Sequence, residues 1–518
     1  SLEMAAPGAK RALACALAAA ALGLATPGAG APTLLKAAGK VTKEDAEDRL
    51  LSELAPRGEA QARLAELEGA LRATYASLPK NAEGTLEHQA VRYALHRLFV
   101  QRSGWYIRGL EPGAERRGPA AAGAEWVPSY LQALLERREH ELNETGTSLR
   151  DLAALAATLE DLAAHEAAGR LGAAYRLHGL EPGGEAGAED VRAALRTFYV
   201  AFLVAGNFSA ASLEDARRKE LRFAKKYTGW LEAEEWLTEL EERSLRVDGN
   251  DMVDFLAAQR TAAEIGQQYY EFNDRECRDL KATLLAMEGS KAGRVRLPTF
   301  YKKSLYSHWR FDEKIEYLRS LGALDESNPK QPQVITANYI MARTNCLEAY
   351  GLYAICCRNE CEDLMGHLER EVAATSAPPA LVAELVEALP SATVQAPREL
   401  PAKLRQRLRE IAAVHGGEVN LHGRLFAQWM HHAFPHECPY PHEAGTTNPQ
   451  TADEWMQQGR EAHASTEEMR KYVEDACAAN GAHEAEAPQG AEEAELPWSD
   501  AEELLAVQPP RRGAGGRA

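Results

Sequence analysis

Apolar side chains recur three and four residues apart along most of this chain, a period that suits packed helices and not strands. The pattern covers Gln61 to Ser77, Leu86 to Arg102, Pro128 to Leu142, Leu149 to Ala168, Ala188 to Val204, Leu213 to Phe223 and Trp230 to Leu245. Breaks fall at Gly109–Gly113, Gly179–Gly183 and Asp248–Asp251, where glycine, proline and short polar side chains favour turns. Ala, Glu, Leu and Arg dominate and β-branched residues are sparse, so propensity agrees with periodicity. With 518 residues, 45% of them hydrophobic, the chain can bury more than one core. The expected fold class is all-α, with helix-loop-helix units in tandem.

The chain also repeats itself. Leu71, Ala73, Tyr75, Val91, Arg92, Ala94 and Leu95 return one hundred residues later as Leu171, Ala173, Tyr175, Val191, Arg192, Ala194 and Leu195. A duplicated supersecondary unit leaves such a trace. A second signature lies in AMEGSKAGRVRLPTFY, residues 286–301. Leu280, Leu284 and Met287 make an apolar helix face, Gly293 falls sixth in a loop running from Glu288 to Thr299, Val295 eighth, and Phe300 begins the next helix. Leu71, Tyr75, Leu78, Gly84, Leu86 and Val91 keep the same spacing. Tyr317, Leu321, Leu324, Asp325, Val334 and Tyr339 keep it with a loop two residues longer, while the Tyr175 copy is poorer, with His178 and Ala186 at apolar positions.

This frame resembles the EF-hand, whose twelve-residue loop turns at a sixth-position glycine. The resemblance implies that eighth-position residues of neighbouring loops pair, so Val295 is expected opposite Val334. Calcium requires carboxylates at loop positions one, three and five and a bidentate Glu at twelve. The loop at 288–299 offers Glu288, Ser290, Ala292 and Thr299, and the first loop Pro79, Asn81, Glu83 and Ala90; neither has the final Glu. Asp325, Ser327 and Asn338 are the remaining calcium candidates, for weak binding at most.

Lys10 and Arg11, an apolar run from Ala12 to Ala25 and then Ala29-Gly30-Ala31 make residues 1–31 an expected signal peptide, with Met4 as its natural start. The mature chain then has no transmembrane segment, and an extracellular or lumenal location is expected. In an oxidising lumen Cys346, Cys356, Cys357, Cys361 and Cys438 are the disulfide candidates, enough for two bonds of undetermined connectivity. Asn143 and Asn207 are glycosylation acceptors. The boundaries read as a helical domain with EF-hand-like repeats over 40–247, a paired EF-hand-like domain over 252–375, a hinge over 376–401, a Cys/His-rich helical unit over 402–478 and a disordered acidic tail over 479–518.

The segments Leu86 to Trp105, Cys277 to Glu369 and Val419 to Trp455, with VNLHGRLFAQWMHHAFPHECPYPHEAGTTNP, are similar to an uncharacterised family of signal-bearing proteins from dinoflagellate algae. Members often continue past a Leu-Pro-Trp-Ser segment, present here as Leu496–Ser499, into a C-terminal membrane helix. The resemblance therefore implies a secretory route and membrane attachment in longer relatives. It leaves a plastid-directed route open, because a signal peptide also begins that route in such algae.

Two sets of residues carry possible chemistry. His422, His431, His432, His436, Cys438 and His442 are the types that hold zinc or copper. His431 and His432 point about a hundred degrees apart on a helix, so His432, His436 and His442, across the turn at Pro435, form the nearest ligand set. His367, among the carboxylates of EDLMGHLE, reads as part of an amphipathic helix with a solvated face. No Gly-x-Ser-x-Gly, P-loop, dinucleotide fingerprint or HExxH is present, which weighs against common hydrolases and nucleotide enzymes. A net charge of -18 argues against a nucleic-acid partner. The expected function is that of an interaction protein, its EF-hand-like pairs presenting a groove, opened by sequence and not by calcium, to a partner protein or peptide. The alternative is a metalloenzyme or metal-binding protein using the cluster at 422–442.

Overall fold

The computed structural model describes residues 58–110, 146–204, 208–227, 229–245, 251–307, 311–348, 351–481 and 498–504. The expected signal peptide, the helix expected over 128–142, and both Asn143 and Asn207 lie outside them.

The described chain is mostly helical. Its first unit comprises α1 (Gly58–Ser77), α2 (His88–Ser103), β1 (Trp105–Ile107), α3 (Leu149–Leu177), β2 (Glu185–Gly187), α4 (Ala188–Leu203), α5 (Leu213–Lys226), α6 (Trp230–Ser244) and β3 (Met252–Asp254). Next come α7 (Phe255–Leu285), β4 (Arg294–Arg296), α8 (Leu297–Ser307), α9 (Ile315–Ser320), β5 (Leu324–Asp325), β6 (Gln333–Ile335), α10 (Thr336–Ile340) and β7 (Tyr353–Ile355). The C-terminal part holds α11 (Glu360–Val372), β8 (Ser376–Ala377), α12 (Pro379–Ala388), α13 (Ala402–Val414), β9 (Val419–Asn420), α14 (Arg424–Ala433), α15 (Ala452–Gln457) and α16 (Thr466–Gly481).

Short antiparallel contacts recur wherever two helix-loop-helix segments meet. Leu86 bridges Thr147, Ala186 stands opposite Val253, Val295 opposite Val334, and Ala377 opposite Val419. In the first three pairs and at Ala377 the pairing residue lies two positions before its helix, whereas Val419 lies five before α14. That offset leaves one residue to cap the helix. Ser148 accepts from the backbone of Asp151, whose carboxylate bonds back to the Ser148 backbone, and Asp254 accepts from the backbone of Ala257.

Three apolar cores follow from this plan. The first packs the repeated residues Leu71 and Leu171, Val91 and Val191, and Leu95 and Leu195, with Trp105 stacked between Phe99 and Tyr353. The second gathers Leu280, Leu284, Val295, Phe300, Tyr317, Val334 and Tyr339 around the β4–β6–β5 sheet. The third gathers Leu368, Val382, Val386, Leu408, Phe426 and Trp429. Helix α7, roughly 45 Å long at 1.5 Å per residue, joins the first two. Its Ala258, Ile265 and Tyr269 belong to the first core, and Cys277, Leu280 and Leu284 to the second.

Three expected boundaries change accordingly. Residues 376–401 are no free hinge, because β8 pairs with β9 and Val382, Val386 and Leu400 are buried in the third core. The 402–478 unit divides: α13 and α14 complete the third core, while Trp455, Ala462 and Met469 return to the second. The expected tail also contributes structure. Trp498 packs on the third core, and Arg424 holds the carbonyls of Ser499 and Ala501.

Three disulfides staple the C-terminal half of the described chain: Cys277–Cys357, Cys346–Cys356 and Cys361–Cys438. All five candidates are bonded, and Cys277 supplies the sixth thiol. Among the described residues no helix is long and apolar enough to cross a membrane.

Candidate functional site

The calcium and zinc candidates, far apart in sequence, meet along one polar seam between the paired loops of β4 and β6 and the turn after α14. Gly293 makes the approach possible. Its φ is +71°, and a Cβ there would lie 2.7 Å from the carbonyl oxygen of Pro435.

Asp325 is bonded within the protein. Its Oδ2 accepts from Arg294 Nε at 2.7 Å and Lys291 Nζ at 3.2 Å, and its Oδ1 accepts from the Ser327 hydroxyl at 2.6 Å. Burial alone would raise the Asp325 pKa, but the bonds and charge of Arg294 and the bond from Ser327 hold it well below the usual carboxylate range. Arg294 is 3% exposed, so a buried guanidinium stands as the nearest positive charge to Asp325. Asn338 makes a backbone clasp: its Nδ2 donates to the carbonyls of Gly322 and Tyr440, and its Oδ1 accepts from Tyr440 N at 2.6 Å. Glu288, first in its loop, accepts from the Thr336 hydroxyl at 2.7 Å and from His436 Nε2 at 2.8 Å.

The histidines are distributed along the seam and not gathered. His431 donates from Nδ1 to the Cys438 carbonyl at 2.6 Å and accepts at Nε2 from Arg294 Nη1 at 3.0 Å. Burial and the neighbouring guanidinium push its pKa well below the ordinary value, so it is neutral. His442 donates to the Gly322 carbonyl at 2.7 Å, and burial lowers its pKa too. His432 stacks on Trp498. His422 lies in a different place, against Glu369 at 2.8 Å.

The expected zinc or copper set of His432, His436 and His442 is therefore not assembled. Among the described residues no group of three His, Cys, Asp or Glu side chains is placed to hold a metal ion. The reason is that His436 and His442 spend Nε2 on protein oxygens, while Cys438 is bonded to Cys361.

Two further buried charge clusters join the cores. Arg97 on α2 pairs with Glu362 and Glu369 on α11, and Glu369 also takes bonds from Thr74 and His422. Glu369 is wholly buried, so the carboxylate face of α11 is only partly solvated. Lys281 on α7 reaches Glu360 at 2.8 Å and Glu437 at 3.1 Å, and Glu437 also accepts from Thr393. No sequence pattern marked Arg97 or Lys281, because their partners lie 272 and 156 residues away.

Glu313 differs from these. It is 3% exposed, accepts from the Tyr339 hydroxyl at 2.9 Å, and among the described residues has no cationic partner within ion-pair distance. Burial and the adjacent Asp312 raise its pKa to about 7. A carboxyl raised in the folded state binds more protons there than in the unfolded chain, so it costs stability as pH climbs from the unfolded value through 7. Glu313→Gln keeps the acceptor for Tyr339. It is expected to match the native chain near pH 4.5 and to exceed it at pH 8 by up to about 3 kcal/mol, visible as a flatter melting-temperature profile between those pH values.

No family model, no curated protein and no solved structure matches the chain.

Proposed function

We propose that this protein is a secreted or lumenal interaction protein, built from EF-hand-like pairs that fold with little or no calcium and hold a rigid surface for a protein or peptide partner. The observation that carries the reading is Arg294 on Asp325: the charge a loop cation would provide is already present as a covalent part of the chain. Supporting it are the antiparallel contacts between helix-loop-helix segments, including Val295 with Val334, and the use of Glu288, Asp325 and Asn338 in bonds within the protein. The disulfides suit an oxidising compartment.

The test is thermal unfolding with millimolar calcium and with chelator, alongside an Arg294→Ala variant. The native chain is expected to melt at the same temperature in both. Arg294→Ala leaves Asp325 buried with only the half-exposed Lys291 as counter-charge and is expected to lose about 3 kcal/mol, part of it regained in calcium. A native chain stabilised by several degrees in calcium overturns the reading.

A further inference from the structure

We propose that the face of α8 covered by α16 is a docking surface for an acidic amphipathic helix of a partner protein, and that α16 is an internal ligand displaced when the partner binds. This rests on the interaction-protein reading above and names the surface and partner class.

Helix α16 sits on the second core in the manner of a bound peptide. Met469, Tyr472, Val473 and Ala476 fall at i, i+3, i+4 and i+7, the anchor spacing of a helix laid in a groove. Met469 is 6% exposed, Val473 packs against the core, and the Tyr472 ring lies 5.7 Å from that of Tyr301 on α8. Glu467, Glu468, Arg470, Lys471, Glu474 and Asp475 are exposed, and Tyr472 is itself 39% exposed. Among the described side chains of α16 Met469 alone is fully buried, whereas α7 buries residues along its length. Tyr306, on the same helix α8 as Tyr301, is 78% exposed.

Charge identifies the occupant. Lys314 at the start of α9 lies 3.3 Å from Glu468 and also pairs with Glu461, and α8 carries the exposed Lys302. From 466 to 476 the helix has four acidic residues against two basic ones. A competing helix therefore needs bulky apolar anchors at the same interval and a net negative charge. Such electrostatic matching governs encounter and partner choice.

The experiment uses the full chain and a fluorescein-labelled synthetic peptide of residues 461–476, read by anisotropy. Met469→Asp with Val473→Asp is expected to free the surface, so that this variant binds the peptide at least tenfold more tightly than the native chain. Adding Lys314→Glu is expected to remove most of that gain. Equal affinity of variant and native chain overturns the proposal. Hydrogen exchange covers misfolding: in the native chain, amides of 469–476 are expected to exchange at least a hundredfold faster than those of 258–280, and equal protection also overturns it. A concentration-dependent dimer of the variant that excludes peptide would make the occupant a second copy and overturn the partner class. Calcium uptake by the loops would sink the function proposed above while leaving the peptide competition unchanged, so the two failures are distinguishable.

Discussion

Reduction of the disulfides is expected to melt the second and third cores while the first survives. Cys277–Cys357 and Cys361–Cys438 span 80 and 77 residues, and loops of that size are each worth about 4.5 kcal/mol through the unfolded chain's entropy. Cys346–Cys356 spans 10 residues and adds somewhat under 3 kcal/mol. Together they approach the whole stability of an ordinary domain, roughly 5–15 kcal/mol. The first core contains no cysteine and rests on α1 to α6 with the first half of α7; the Cys346–Cys356 loop contributes Leu352, Tyr353 and Ile355 of the β7 segment to it. Circular dichroism under strong reductant is therefore expected to show two transitions, the lower displaced downward by roughly 20 °C or more and the upper moved much less. A single transition shifted by only a few degrees would contradict the assignment of the second and third cores to the disulfides.

What the sequence makes legible is local. The glycine in a positive-φ turn, the apolar residue two places later and the restart of a helix lie within a few positions of one another. Gly293, Val295 and Leu297 could therefore be read together, and Val295 does stand opposite Val334. The hundred-residue repeat was readable for the same reason, since each copy keeps its own short-range spacing and both bury the Leu71/Leu171, Val91/Val191, Ala94/Ala194 and Leu95/Leu195 positions. The seam was not legible. Asp325 looked like a calcium ligand because its neighbours in sequence include Ser327, while the group that satisfies it, Arg294, arrives from the preceding loop. His436 and His442 looked like metal ligands because they cluster in sequence, yet each bonds a loop more than a hundred residues earlier. Composition misled at 376–401, where Ala and Pro resemble a linker although Val382 and Val386 sit one helical turn apart and point into a core. At the far end a single indole, Trp498, changes the character of an otherwise acidic segment by stacking on His432 beneath Arg407.

The Arg97 cluster is where a single substitution is expected to do most damage. Arg97 is 1% exposed, as are few arginines, and both of its carboxylate partners come from α11, so the pair joins the first core to the third. Burial would raise the Glu369 pKa, but the bond from His422, the charges of Arg97 and His422 and the bond from Thr74 outweigh it and hold the group below the ordinary carboxylate range. Its contribution is thus present above the unfolded carboxylate pKa and lost as pH falls below it. Arg97→Met leaves Glu369 ionised and buried with only His422 and Thr74, and is expected to cost about 3–5 kcal/mol. Removing both charges with Arg97→Met and Glu369→Leu abolishes the desolvation penalty together with the attraction. The double variant is expected to lose clearly less than the sum of the single losses, a coupling that a double-mutant cycle in urea measures. The single Arg97 variant is also expected to unfold in two steps, with the third core leaving first, because Arg97 ties α11 to the first core across a join that no disulfide crosses among the described residues. Additive losses with one cooperative transition would mean that the apolar contact of α1 with α11, and not the ion pair, holds these units together.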